Sequence, residues 1–153
     1  MNKKYIYCES FCGTAISGNS IILAKYLALA LELELVIGVV DQDLIKKEGY
    51  CDRNGPVSII NDATIVVLNS HVFKEGFNPT GTVIQTWHGT PLKKLGLGLK
   101  FNPRAYLYVY RFSRELKKTN LFIFQNEFAK EILSKSFAYK GNKLVFFNSR
   151  EKR

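Results

Sequence analysis

The residues most able to do chemistry in this chain fall in one stretch, Gln85-Thr86-Trp87-His88-Gly89-Thr90-Pro91-Leu92-Lys93-Lys94. It holds the only tryptophan and one of two histidines. An imidazole exchanges protons near neutral pH and takes one from a hydroxyl placed against it. The apolar, β-branched run Thr82-Val83-Ile84 leads in as a strand. Gly89-Thr90-Pro91 then reads as a helix start, with Thr90 as N-cap and Pro91 at the first helical position. His88 is thereby expected at the carboxyl end of a strand, beside free N–H groups of a helix. Open α/β sheets bind ligands there, and a phosphate finds the positive end of a dipole.

Other candidates weigh less. Gly13 to Ser20 has nearly the pattern of a phosphate-binding loop, but Asn19 stands where the phosphate-reaching lysine belongs. A tight turn into a helix capped by Asn19 or Ser20 is the better reading. Asp41-Gln42-Asp43 follows a strand; an acidic pair of this kind holds metal in some transferases, yet Asp at a helix start is commoner. Cys8, Cys12 and Cys51 show no zinc-ligand spacing and read as free thiols. No metal and no cofactor are expected. His71 follows Asn69-Ser70 at another strand end and reads as an ordinary surface or hydrogen-bonded residue.

The elements that position these residues alternate. Strands are expected at Lys4–Cys8, Leu35–Val40, Thr64–Leu68, Thr82–Thr86, Asn120–Phe124 and Lys143–Phe147. Helices are expected from Asn19 or Ser20 to about Leu31, over Pro103–Lys117 with Tyr106, Tyr110 and Leu116 among basic positions, and over Phe128–Phe137. Gly49–Pro56 and Phe73–Gly81 read as loops. The pattern implies an α/β fold, a parallel sheet with helices on both faces. Ile21 to Val40 is apolar, but Lys25, Glu32 and Glu34 interrupt it, so a buried helix and strand are expected rather than a membrane span. The opening segment is too short for a signal-peptide core.

With 22 Lys and Arg against 13 Asp and Glu, the net charge is +9, which favours polyanionic partners such as nucleic acid, an anionic membrane surface or a phosphate polymer. Lys93, Lys94, Lys100, Arg104, Arg111 and Arg114 form a basic band interleaved with Tyr106, Tyr108, Tyr110 and Phe112. No recognised nucleic-acid-binding pattern accompanies it, and no nucleic acid is expected.

The stretch Gln85 to Gly96 closely resembles the signature of the CDP-glycerol:poly(glycerophosphate) glycerophosphotransferases, the teichoic acid polymerases. Tyr7-Cys8-Glu9-Ser10-Phe11-Cys12-Gly13, with Asn19 and Tyr26, is similar to that family's opening segment. Asn120 to Asn126, followed by Ser136-Phe137-Ala138-Tyr139, is similar to a later one.

The resemblance implies a single Rossmann-like, acceptor-side domain over residues 1–153, the N-terminal half of a GT-B fold. The nucleotide-binding half is expected to be missing, and the family's later turn is degraded to Phe147-Asn148-Ser149-Arg150-Glu151. It also implies transfer of glycerol phosphate from CDP-glycerol to a lipid-linked polyol-phosphate acceptor, by a peripheral protein on the cytoplasmic face of the membrane. His88 is then the candidate base. Trp87, Gly89, Thr90, Lys93, Lys94, Glu9 and Asn19 are candidate substrate-binding residues. Two other readings stand beside this one: a non-catalytic remnant that binds anionic membrane or polymer, and a basic nucleic-acid-binding protein.

Overall fold

Parallel strand pairing decides where each functional residue lies. The computed structural model describes residues 4–89 and 103–145. Its strands are β1 (Tyr5–Glu9), β2 (Glu34–Val39), β3 (Tyr50–Asp52), β4 (Ile65–Leu68), β5 (Thr82–Gln85), β6 (Leu121–Phe124) and β7 (Lys143–Val145). They form one sheet in the order β3-β2-β1-β4-β5-β6-β7, every neighbouring pair parallel. Its helices are α1 (Asn19–Leu31), α2 (Gln42–Ile45), α3 (Ser58–Asn61), α4 (Pro103–Leu116) and α5 (Glu127–Ser136), with a turn of 3-10 helix at Phe11–Gly13.

The central strands are nearly continuous apolar runs because a parallel sheet is covered on both faces. Ile-Val-Val-Leu in β4 and Leu-Phe-Ile-Phe in β6 each bury all but their first residue. One core cluster packs Ile6, Cys8, Ile21, Ala24, Ile37 and Val67 under α1. Another gathers Trp87, Val109, Phe112, Leu116, Phe122, Leu133 and Phe137 under α4 and α5.

From β1 the chain builds outward through β2 to β3, then returns to lay β4 on the other flank of β1 and continues outward to β7. The direction reverses between β1 and β4. In open α/β sheets the crevice at the carboxyl ends beside such a reversal is the ligand site.

Several expectations are corrected. The segment Gly49–Pro56 is no plain loop: Tyr50–Asp52 pairs with Ile37–Val39 as an edge strand, too short to show a period. Neither Asn19 nor Ser20 caps α1; Gly18 holds the cap position without a side-chain bond, and Asn19 is the first helical residue. Nor is α1 buried all round. Ile21 and Ala24 rest on the sheet, while Ile22, Tyr26 and Leu29, one helical face, are exposed. On α4 the buried residues are Val109, Phe112 and Leu116, with Tyr106 and Tyr110 outside. Asp41 caps α2, its Oδ1 accepting from the N–H groups of Asp43 and Leu44 at 2.8 and 3.2 Å. No described helix is long and apolar enough to cross a membrane.

Candidate active site

The route from β5 to His88 is built by Gln85. Its side chain is buried; Oε1 accepts from the Trp87 N–H at 2.9 Å and Nε2 donates to the Ser70 carbonyl at 3.0 Å. Thr86 continues the ladder, its N–H donating to the Leu68 carbonyl at 2.7 Å. The chain then turns sharply, with φ of +54° at Trp87 and +146° at Gly89. Glycine adopts the second value freely, whereas the first strains a tryptophan by about 1–3 kcal/mol. Burial of the indole against Phe112 and Phe137, at 5.6 and 5.4 Å, offsets that strain.

His88 is thereby left exposed at the rim, stacked on Trp87 at 4.3 Å and 5.6 Å from the Phe11 ring. Its Nδ1 lies 2.7 Å from the Asn69 carbonyl oxygen. A carbonyl only accepts, so Nδ1 carries a hydrogen, and in the neutral ring the lone pair is on Nε2. That is the tautomer a general base needs.

At the reversal between β1 and β4, two loops are cross-tied. The Asn69 side chain accepts from the Phe11 N–H at 2.8 Å and donates to Ser10 Oγ at 2.9 Å; Ser70 Oγ accepts from the Cys12 N–H at 2.9 Å. Phe11, Cys12 and Gly13 are all left-handed, with φ of +49°, +55° and +78°, and Phe73 joins them at +50°. Strained backbone of this kind concentrates where side chains must be aimed at a ligand.

His71 stands in the same crevice, stacked on Phe73 at 4.0 Å and edge-on to Tyr108 at 5.4 Å. Burial holds its imidazole below the usual value, with Arg53, Arg111 and His88 adding to the effect. The half-buried Glu115 carboxylate accepts from the N–H groups of Val72 and Phe73 and fixes this loop from α4. Burial raises its carboxyl above the usual carboxylate range, against the pull of those N–H groups.

Glu9, at the end of β1, is fully buried. Its Oε1 accepts from Arg53 Nε at 3.0 Å and its Oε2 from the Tyr7 hydroxyl at 2.8 Å. Burial raises its carboxyl, and Arg53 pulls it back. Gly38 makes room for this network, since a Cβ there would lie 2.1 Å from the Tyr7 hydroxyl oxygen. Arg53 also donates to the Val72 carbonyl at 2.8 Å, joining Glu9 to the His71 loop.

Of the residues singled out from the sequence, His88 and Gly89 follow the carboxyl end of β5 at the rim, whereas the Trp87 indole is buried against Phe112 and Phe137. Asn19 is exposed in the first turn of α1, and Glu9 positions Arg53 from below. Thr90, Pro91, Lys93, Lys94 and the Phe147–Glu151 turn lie outside the described residues. The sequence reading left four residues of this crevice outside the site: His71, taken as an ordinary residue, Tyr108 and Arg111, seen only as part of the basic, aromatic band, and Glu115, not singled out at all. One signal was available: Asn69-Ser70-His71 follows an apolar strand just as Thr86-Trp87-His88 does. Among the described residues no three His, Cys, Asp or Glu side chains are grouped to hold a metal.

A parallel, doubly wound sheet with helices packed on it defines a Rossmann-like protein, and His88 stands exposed at the carboxyl rim of that sheet. Residues 1–146 match the family CDP-Glycerol:Poly(glycerophosphate) glycerophosphotransferase, and the chain belongs to it. It is similar to a teichoic acid glycerol-phosphate transferase from Staphylococcus aureus, 27% identical over 165 residues, covering 94% of this chain and 40% of that protein. The chain therefore spans about two fifths of the curated relative it matches. No solved structure matches.

Proposed function

We propose that this chain is the acceptor-side half of a GT-B glycerophosphotransferase that moves glycerol phosphate from CDP-glycerol to a lipid-linked polyol-phosphate chain. The observation that carries the reading is His88: exposed, at the carboxyl rim, its Nδ1 bonded to the Asn69 carbonyl and its Nε2 left to accept. The acceptor hydroxyl gives its proton to Nε2 as its oxygen bonds to the phosphorus that carries glycerol. The pyrophosphate P–O bond breaks, and CMP leaves with the negative charge. Such transfers depend on positioning and on cations more than on covalent chemistry. Lys93 and Lys94, with the N–H groups after Thr90, steady the phosphate oxygens in this reading. Trp87 and Gly89 shape the turn that holds the base, and Asn19 lines the acceptor side.

The donor's nucleotide is bound by the second half of such an enzyme, and the net charge of +9 suits a peripheral position on an anionic leaflet at the cytoplasmic face. The test is CMP release from CDP-glycerol in the presence of a polyol-phosphate acceptor, measured on the complete gene product and its His88→Ala variant. Loss of about 10²–10⁴-fold in kcat is expected, the range for removing a general base. The melting temperature should hardly move, because the ring is exposed. Turnover equal to the parent's in His88→Ala would remove His88 from the chemistry.

A further inference from the structure

The second imidazole has no assigned task, and its surroundings are unusual. Nδ1 of His71 is 3.5 Å from the Tyr108 hydroxyl and Nε2 is 3.7 Å from Cys12 Sγ. Both contacts are long, and a thiol is a poor partner. His88, by contrast, is seated at 2.7 Å. Much of the fold is nonetheless spent on placing His71. Phe73 and Tyr108 clamp its faces and edge, Glu115 ties down the following backbone, and Asn69 and Ser70 lock the preceding residues to β1. An imidazole held firmly by packing but weakly by hydrogen bonds is ready to exchange a poor partner for a charged one.

The local charge indicates which one. The Arg111 guanidinium lies over the Phe73 ring at 4.6 Å, on the stack that carries His71, and Arg53 borders the same loop through the Val72 carbonyl. An anion entering the crevice meets these cations. The spacing suits one ligand in particular. His71 follows β4 and His88 follows β5, and neighbouring strands lie about 4.8 Å apart. The free hydroxyl of a terminal glycerol and the phosphate esterified at its other end are separated by one glycerol unit, a span of that order.

We propose that His71 is a second substrate-binding residue of this site, donating a ring N–H to a phosphate oxygen of the acceptor while Arg111 supplies countercharge. The proposal rests on the transferase reading for the identity of its ligand. It makes the site selective for an acceptor end whose hydroxyl is followed at once by a phosphate.

The chain has two histidines, so His71→Ala and His88→Ala assign both imidazole signals in the NMR spectrum of the labelled 153-residue protein. The probes are sn-glycerol 3-phosphate and inorganic phosphate, added separately. With the ester, the His71 signal should shift saturably and its titration midpoint should rise, because a bound anion favours the protonated ring. His71→Ala should weaken binding by at least about tenfold, as expected for losing a charge-assisted bond, and His71→Gln should recover part of the loss. A His71 signal unmoved by the ester overturns the proposal. So does equal affinity for inorganic phosphate, which would make this a free-phosphate site. CMP release separates this inference from the broader reading. Ester binding at His71 with no CMP release by the complete gene product would leave the subsite standing and defeat the transferase. CMP release with an unchanged acceptor KM in His71→Ala would do the reverse.

Discussion

His88 takes its tautomer from a main-chain oxygen and its orientation from Gln85, three residues upstream. A side chain at position 69 is not what seats the ring, whereas the turn that delivers the ring depends on Gln85. Replacing Gln85 with leucine keeps the volume but leaves the Trp87 N–H and the Ser70 carbonyl without their partner in a buried place. We expect a loss of about 2–3 kcal/mol in urea unfolding and, on the transferase reading proposed above, a fall in CMP release by the complete gene product as the ring loses its seat. A variant as stable as the parent would show that the amide bonds do not hold the turn. Here the sequence was informative only in part. The rarity of tryptophan and histidine drew attention to residues 87 and 88, but the glutamine that aims them looks like any polar strand end. His71 was passed over because its partners come from residues 12, 108 and 115, far away along the chain.

At the level of elements, α4 does more than cover the sheet. Tyr108, Phe112 and Glu115 lie on one face at helical spacing, so a single helix supplies a wall of the His71 crevice, a core anchor and the carboxylate that fixes the loop. Phe112 is buried among Trp87, Tyr108 and Phe137, whereas Tyr110 is exposed. Phe112→Ala should cost about 3–5 kcal/mol. Tyr110→Ser should stay within about 0.5 kcal/mol, both read by thermal denaturation. Equal effects would mean that the helix is turned the other way. The alternation of aromatic with basic residues hid this face from a reading of the sequence, since either set of aromatics suits a buried stripe. The long elements were legible because burial on both faces leaves continuous apolar runs. The edge strand β3 and the one-turn helices α2 and α3 were not, being too short to carry a period.

For the molecule as a whole, the desolvated carboxyls of Glu9 and Glu115 make stability depend on pH in a direction set by that desolvation. Glu9 and Glu115 both hold a proton more tightly folded than unfolded. Their contribution is complete below the ordinary glutamate value of 4.5 and is lost as pH climbs through the raised folded values. His71 works the other way: its lowered value gives stability above 6.5 that is lost as pH falls through the folded value. Glu115→Gln keeps a carbonyl oxygen for the Val72 and Phe73 N–H groups and removes one carboxyl. The unfolding free energy at pH 5 minus that at pH 7.5 should therefore move in the negative direction in that variant, since the one contribution removed favoured the lower pH. A value unchanged from the parent's would show that Glu115 does not contribute to the pH dependence. Fold class and family were both within reach of the sequence, because one is written in hydrophobic runs and the other in a short, rare motif. The crevice between β1 and β4 was not, because it exists only once the strand order reverses.

The lone indole lies face to face with the His88 ring, 4.3 Å between ring centres. Its emission therefore belongs to one place in the molecule. Charging the neighbouring ring, or covering it, changes the quenching of that one fluorophore. The protein thus carries an intrinsic optical gauge of the surroundings of His88, readable without label or partner while acid, salt or phosphate ester is added.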